Sequence, residues 1–198
     1  MTEPRPFHVD LFAEDRGHEL FLTALVERLA REAGRTVTIT VRSARGGHGK
    51  ALAELKLYQL TEIRKRKALP DLLIVAIDGN CKGYAKARKE ILEKIEKSLK
   101  HFTVAACPDP HIERWYLADP ESFCKVVGKH PDVKQDKCER DYYKNALTSA
   151  VREAGFIPTL GGIEFAEDLI AAMDLGRAGR AHTSLGDLIE SLTAKLRR

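Results

Sequence analysis

The segment LLIVAIDGN, Leu72 to Asn80, decides how the rest of the chain is read. Its opening run, Leu72 to Ile77, is apolar throughout and has no wet face to offer, so it is expected as the central strand of a sheet, buried on both sides. Strands of that kind belong to parallel sheets covered by helices on both faces. The polar cluster that ends the run, Asp78, Asn80 and Lys82, then falls at a strand's carboxyl end, where open α/β sheets carry their active groups.

Working outward, FHVDLFAE, Phe7 to Glu14, reads as a first strand. A helical pattern follows it, with Phe21, Leu25 and Leu29 on one face and Gly34 as its stop. TVTITVRS alternates Val37, Ile39 and Val41 with polar residues, which predicts a strand with one polar face near a sheet edge. A helix from about Ala51 to Lys67 leads to the Leu72 strand. CKGYAKARKEILEKIEKSLK repeats Ile91, Ile95 and Leu99 at helical spacing, and HFTVAACP supplies a fourth strand. Strictly alternating strands and helices predict an α/β fold built on a mostly parallel four-stranded sheet with right-handed crossovers.

Beyond Pro108 the pattern becomes helical. DPHIERWYLA and DPESFCKVVG each open on Asp-Pro, the signature of a helix start. KHPDVKQDK breaks the pattern, and three more helical stretches follow, the last with Ser184 and Asp187 as a capping pair. The expected organisation is an α/β domain over 1–128 and a helical C-terminal extension over 129–198 packed on it.

The 198 residues suit one continuous core, and a formal charge of +4 permits a polyanionic partner without requiring one. No stretch has the roughly twenty apolar residues that cross a bilayer, and MTEPRPFHVD is too polar for a secretory signal, so a cytoplasmic protein without membrane contact is expected. Cys81, Cys107, Cys124 and Cys138 form no CxxC pair and read as reduced structural thiols. Cys124, His130 and Cys138 lack a fourth ligand for zinc.

If the strands run parallel, Glu14, Asp78, Asp109 and Glu113 gather on one rim. Hard divalent cations such as Mg²⁺ or Mn²⁺ favour such carboxylates and keep open positions for phosphate oxygens. Lys82, Arg42 or Lys50 would offset phosphate charge there. Competing structural roles exist: Asp109 and Asp119 both stand where a helix cap would, and Trp115 and Tyr116 read as core. His18 and His111, near Glu14 and Asp109 in sequence, are candidates for proton transfer or metal binding. RSARGGHGK resembles a phosphate loop, but a Walker A motif needs glycine at Ala44 and Ser or Thr at Ala51, so a P-loop is rejected. What remains is a basic loop, Arg42, Arg45, His48 and Lys50, suited to a nucleic-acid backbone. EIRKRK with Lys82, Lys86, Arg88 and Lys89 would extend that face or be solvated helix surface.

LFAED with the following helix, and then LLIVAIDGN, resembles the Toprim (topoisomerase–primase) domain, whose pattern is a glutamate after the first strand and a DxD after a later one. Glu14 falls at the glutamate, Asp78 at the first acidic position and Asn80 at the second. Asn80 departs from the pattern by carrying no charge, and Asp15 departs by replacing a frequent glycine. PDPHIERWYLADPESF resembles the matching segment of small stand-alone Toprim-like proteins related to overcoming-lysogenization-defect nucleases. The resemblance covers about two-thirds of the chain. It implies a Toprim/Rossmann-like fold and a Mg²⁺- or Mn²⁺-dependent site that cuts DNA or RNA, in some relatives beside an ATPase in phage defence. In that reading Glu14, Asp78, Asn80 and Asp109 hold metal, Glu14, Lys82 and Glu113 serve catalysis, and a homodimer is compatible. The alternative is a subunit that binds nucleic acid or nucleotide without turnover, and a third reading is an interaction protein docking through its helical third.

Overall fold

A computed structural model of the chain describes residues 5–44, 47–66, 68–133, 138–139 and 141–197. Strands β1 (Phe7–Ala13), β2 (Val37–Ser43), β3 (Leu72–Ala76) and β4 (Thr103–Ala106) form a four-stranded sheet in the order β2-β1-β3-β4. Every pairing is parallel, as the alternation of strands and helices predicts. β3 is buried along its whole length between β1 and β4, whereas β2 lies at the edge, its exposure alternating from Val37 to Thr40 before Val41 and Arg42 both open to solvent.

Helix α1 (Arg16–Glu32) covers one face of the sheet, and α2 (His48–Thr61) with α3 (Tyr84–Lys94) covers the other. Successive side chains of a strand point to opposite faces, so β3 divides itself between two cores. Leu72 and Ile74 join Phe21, Leu25 and Trp115 on one side, while Leu73 and Val75 join Leu55, Tyr58 and Ile91 on the other. Helices α4 (Glu113–Tyr116), α5 (Pro120–Val127), α6 (Tyr142–Glu153), α7 (Ala166–Ala172), α8 (Leu175–Ala181) and α9 (Thr183–Leu196) follow. They pack on the α1 side through Tyr143, Leu147, Leu169 and Leu188, in one core with β1 and α1.

Several elements differ from their sequence reading. The helix expected to reach Lys100 ends at Lys94, because Ile95 turns extended and tucks with Leu99 and Phe102 into the core beneath β3 and β4. Asp109-Pro110 opens no helix; α4 begins at Glu113, and the Asp109 carboxylate accepts the Tyr84 backbone N–H at the start of α3 instead. α9 begins at Thr183, so Ser184 lies inside its first turn, buried, accepting a hydrogen bond from the Trp115 indole at 3.1 Å. Its expected partner Asp187 meets the Tyr84 hydroxyl. Asp119 is more than a cap. It is buried and accepts two hydrogen bonds from the Arg177 guanidinium, at 2.7 and 2.8 Å, and one from the Asp174 N–H at 2.8 Å.

The thiol reading also needs correction. Cys81 and Cys138 form a disulfide with their Cα atoms 5.5 Å apart, which takes Cys138 out of any zinc set. The turn after β3 and the segment before α6 meet over the carboxyl edge of the sheet, a juxtaposition invisible in the spacing. Cys107 is free and buried, Cys124 free and partly exposed. Among the described residues no helix is long and apolar enough to cross a membrane.

Candidate metal centre at the carboxyl edge of the sheet

The strand order makes β1 and β3 neighbours, and this single fact brings Glu14 to Asp78. Ala13 pairs with Ala76, and the Glu14 N–H donates to the Ala76 carbonyl at 2.9 Å. One residue beyond Ile77, the Asp78 N–H donates to Glu14 Oε2, also at 2.9 Å. Since α1 leaves β1 on one face and α2 enters β3 from the other, the gap between these strand ends is a topological switch point, the usual ligand crevice of an open α/β sheet.

The turn that follows is held by close backbone contact. The Gly79 N–H donates to the Pro108 carbonyl at 2.7 Å, and a Cβ on Gly79 would lie 2.9 Å from that same oxygen, so only glycine fits. Asn80 adopts a left-handed backbone (φ 49°), which asparagine tolerates better than most residues. Its side-chain amide donates to the Asp78 carbonyl at 3.3 Å and its N–H to the Pro110 carbonyl at 2.9 Å.

α1 contributes the third group. Asp15 is its N-cap, accepting the His18 N–H at 3.1 Å and lying 2.8 Å from His18 Nδ1. With Nδ1 turned to Asp15, the fully buried ring aims Nε2 at Asp78 Oδ1, 3.1 Å away. The two groups form an ion pair by distance, yet neither atom has a hydrogen-bond partner among the described residues. Glu14, His18 and Asp78 each offer one ligand atom, all within 4.8 Å of one another, so the group could hold a metal ion.

Burial pushes the Glu14 carboxyl above its usual range, and the neighbouring Asp78 charge pushes it further. Burial would raise Asp78 too, but the positive His18 and His111 rings outweigh it and hold Asp78 low. For His18, burial works against the charged form, yet Asp78 and Asp15 overcome it and hold the ring well above the ordinary histidine range. Asp15 follows the same logic: burial opposes, and the His18 contacts bring it down to about 2.

Asp78 also faces an open cleft of about 530 Å³, lined with it by Asp15, Asn80, His111, Glu113 and Lys144 and bordered by the disulfide. His111 Nδ1 is 3.3 Å from Asp78 Oδ2. Burial raises Glu113, and Asp78 adds to the rise.

The remaining expected residues are placed differently. Asp109 caps α3 and stays outside the trio. Lys82 Nζ lies 2.9 Å from Glu90 and 3.1 Å from His48, and His48 in turn approaches the Asp78 carbonyl at 3.2 Å. Arg42 is paired with Glu62, and Lys50 lies 3.9 Å from Glu54. Arg45 and Lys67 lie outside the described residues. Sequence reasoning named His18 only through its nearness to Glu14. The stronger signal was its position four residues after Glu14 and three after an acidic N-cap, which turns its ring back toward the strand end. Comparison with protein-family models, with curated proteins and with solved structures yields no match.

Proposed function

We propose that the chain is a metal-dependent nuclease of the Toprim type that its sequence resembles, cutting nucleic-acid phosphodiesters at the carboxyl edge of its sheet. The observation that carries this reading is the convergence of Glu14, His18 and Asp78 within 4.8 Å at the switch point between two parallel strands. A bound divalent cation such as Mg²⁺ or Mn²⁺ polarises a phosphodiester and lowers the pKa of water at a site like this. Glu14 and Asp78 would hold it. Asn80, paired to the Asp78 backbone, keeps the turn in register, and Glu113, its proton affinity raised by burial, is suited to exchange a proton with an attacking water or a leaving oxygen. His111 steadies the Asp78 carboxylate from the cleft side.

Incubation of the purified protein with DNA and RNA in Mg²⁺ or Mn²⁺ tests the reading. Cleavage lost in Asp78→Asn and Glu14→Gln is expected, and cleavage that persists in both would remove it. A non-catalytic nucleic-acid or nucleotide-binding subunit is the second reading, favoured by the uncharged Asn80. It expects salt-dependent binding without turnover in any metal. An ATPase partner and a place in phage defence follow from the same resemblance. The cytoplasmic setting is also part of this proposal. Cytosolic thiols are kept reduced, so recovery of the Cys81–Cys138 bridge from rapidly acid-quenched cells would argue against that setting.

A further inference from the structure

Two buried polar atoms that face each other without a hydrogen bond need a common partner. Left without one, each buried polar atom weighs against the folded state. His18 Nε2 and Asp78 Oδ1 are such a pair, 3.1 Å apart. The opposite side of the same ring is already committed, with Nδ1 lying 2.8 Å from the Asp15 carboxylate. Carboxylate to Nδ1, with Nε2 giving up its proton to the cation that binds it, is the arrangement that orients metal-ligating histidines and raises their basicity. Asp15, which stands where the resemblance expects glycine, thereby acquires a role as the group that turns His18 toward the centre.

We propose that His18 Nε2 is a ligand of the centre, and that the centre therefore favours first-row transition ions over Mg²⁺, with Mn²⁺, the hardest of them, as the probe that sets the lower bound of that preference. The inference rests on the metal-centre half of the preceding reading and not on nuclease activity. Mg²⁺ is a hard ion that takes oxygen ligands and keeps its waters, whereas imidazole nitrogen suits the later divalent ions. An all-oxygen rim of Glu14, Asp78 and Asp109 would have suited Mg²⁺. Exchanging the Asp109 carboxylate, engaged at the start of α3, for a buried imidazole shifts the donor set from three oxygens to two oxygens and a nitrogen.

The test is pulsed electron paramagnetic resonance of Mn²⁺ bound to the intact chain, with titration calorimetry of Mn²⁺ and Mg²⁺. A ¹⁴N modulation on the bound Mn²⁺, and Mn²⁺ affinity exceeding Mg²⁺ affinity by about tenfold or more, are expected. His18→Gln should abolish the modulation and narrow the preference. Asp15→Asn should weaken Mn²⁺ about 10- to 100-fold while the modulation survives. Should His18→Gln fail to fold, the wild-type spectrum and Asp15→Asn still decide. Mn²⁺ bound without nitrogen coupling, or Mg²⁺ binding as tightly as Mn²⁺, overturns the proposal and leaves an oxygen-only centre standing. Absence of any binding overturns the centre itself. Nitrogen-coupled Mn²⁺ in a protein that cuts no nucleic acid upholds the proposal and removes only the nuclease.

Discussion

The backbone N–H of Asp78 donates to Glu14 Oε2 at 2.9 Å, so the two acidic residues at the ends of neighbouring strands are joined by a hydrogen bond. That bond holds two acids side by side; burial raises the Glu14 carboxyl first, and repulsion from Asp78 raises it further.

Glu14→Gln keeps an acceptor for the Asp78 N–H and removes one of the charges. Without metal, the variant should melt at the same temperature as the wild type or higher. Its stabilisation by Mn²⁺ should shrink, with affinity falling by at least about tenfold, or about 1.4 kcal/mol. Thermal melts with and without Mn²⁺ decide it, and equal shifts in both proteins would take Glu14 out of the centre.

Glu113 predicts a pH-dependent gain. Burial, and then Asp78, raise its carboxyl in the folded chain, so the folded state favours its protonated form. The stability it contributes is present below the unfolded value of about 4.3 and lost as pH rises through the folded value. Glu113→Gln should therefore melt higher than the wild type at neutral pH, with the gap closing near pH 4. A variant less stable than the wild type at pH 7 would mean that the charged carboxylate is satisfied by a partner.

Asp119 predicts the opposite dependence. Burial would raise this carboxyl, but Arg177 and the Asp174 N–H outweigh burial and hold it far below the usual range. Its stabilisation is present above the unfolded value of about 3.9 and is lost as pH falls toward the folded value. Asp119→Asn should cost about 1.5–3 kcal/mol at pH 7, measured by urea unfolding, and the deficit should narrow below about pH 4. A constant deficit from pH 3 to 7 would assign the loss to packing.

The disulfide closes a separation of 57 residues, so its reduction should lower stability by about 2–4 kcal/mol. Alkylation under native conditions distinguishes the thiols. Cys107, buried and pushed up to about 12, should resist, Cys124 should react, and Cys81 and Cys138 should become reactive only after reductant. Labelling of all four without reductant would remove the bridge.

Much of this fold is legible in the chain because the signals are local. The unbroken Leu72–Ile77 run, the alternation of Val37, Ile39 and Val41, and the helical spacing of Phe21, Leu25 and Leu29 follow from the geometry of a strand or a helix and need no distant partner. From these come the α/β class and the placement of Glu14 and Asp78 at strand ends. Local patterns also mislead where a tertiary contact competes, as when Asp109 caps α3 from across the loop, or when Ile95 leaves the helix for the core.

Strand order is a different kind of information. Whether β3 pairs with β1 or with β2 depends on how both faces of the sheet are covered, a property of the whole core that no window of sequence carries. The order β2-β1-β3-β4 is what sets Glu14 against Asp78 and places Asp78 beside the His18 ring that Asp15 holds, while the docking of the segment before α6 brings Cys138 to Cys81. The sequence by itself determined which carboxylates stand at strand ends. Only the tertiary structure decided that a histidine completes the cluster in place of Asp109, because that choice is made by packing between elements distant in the chain.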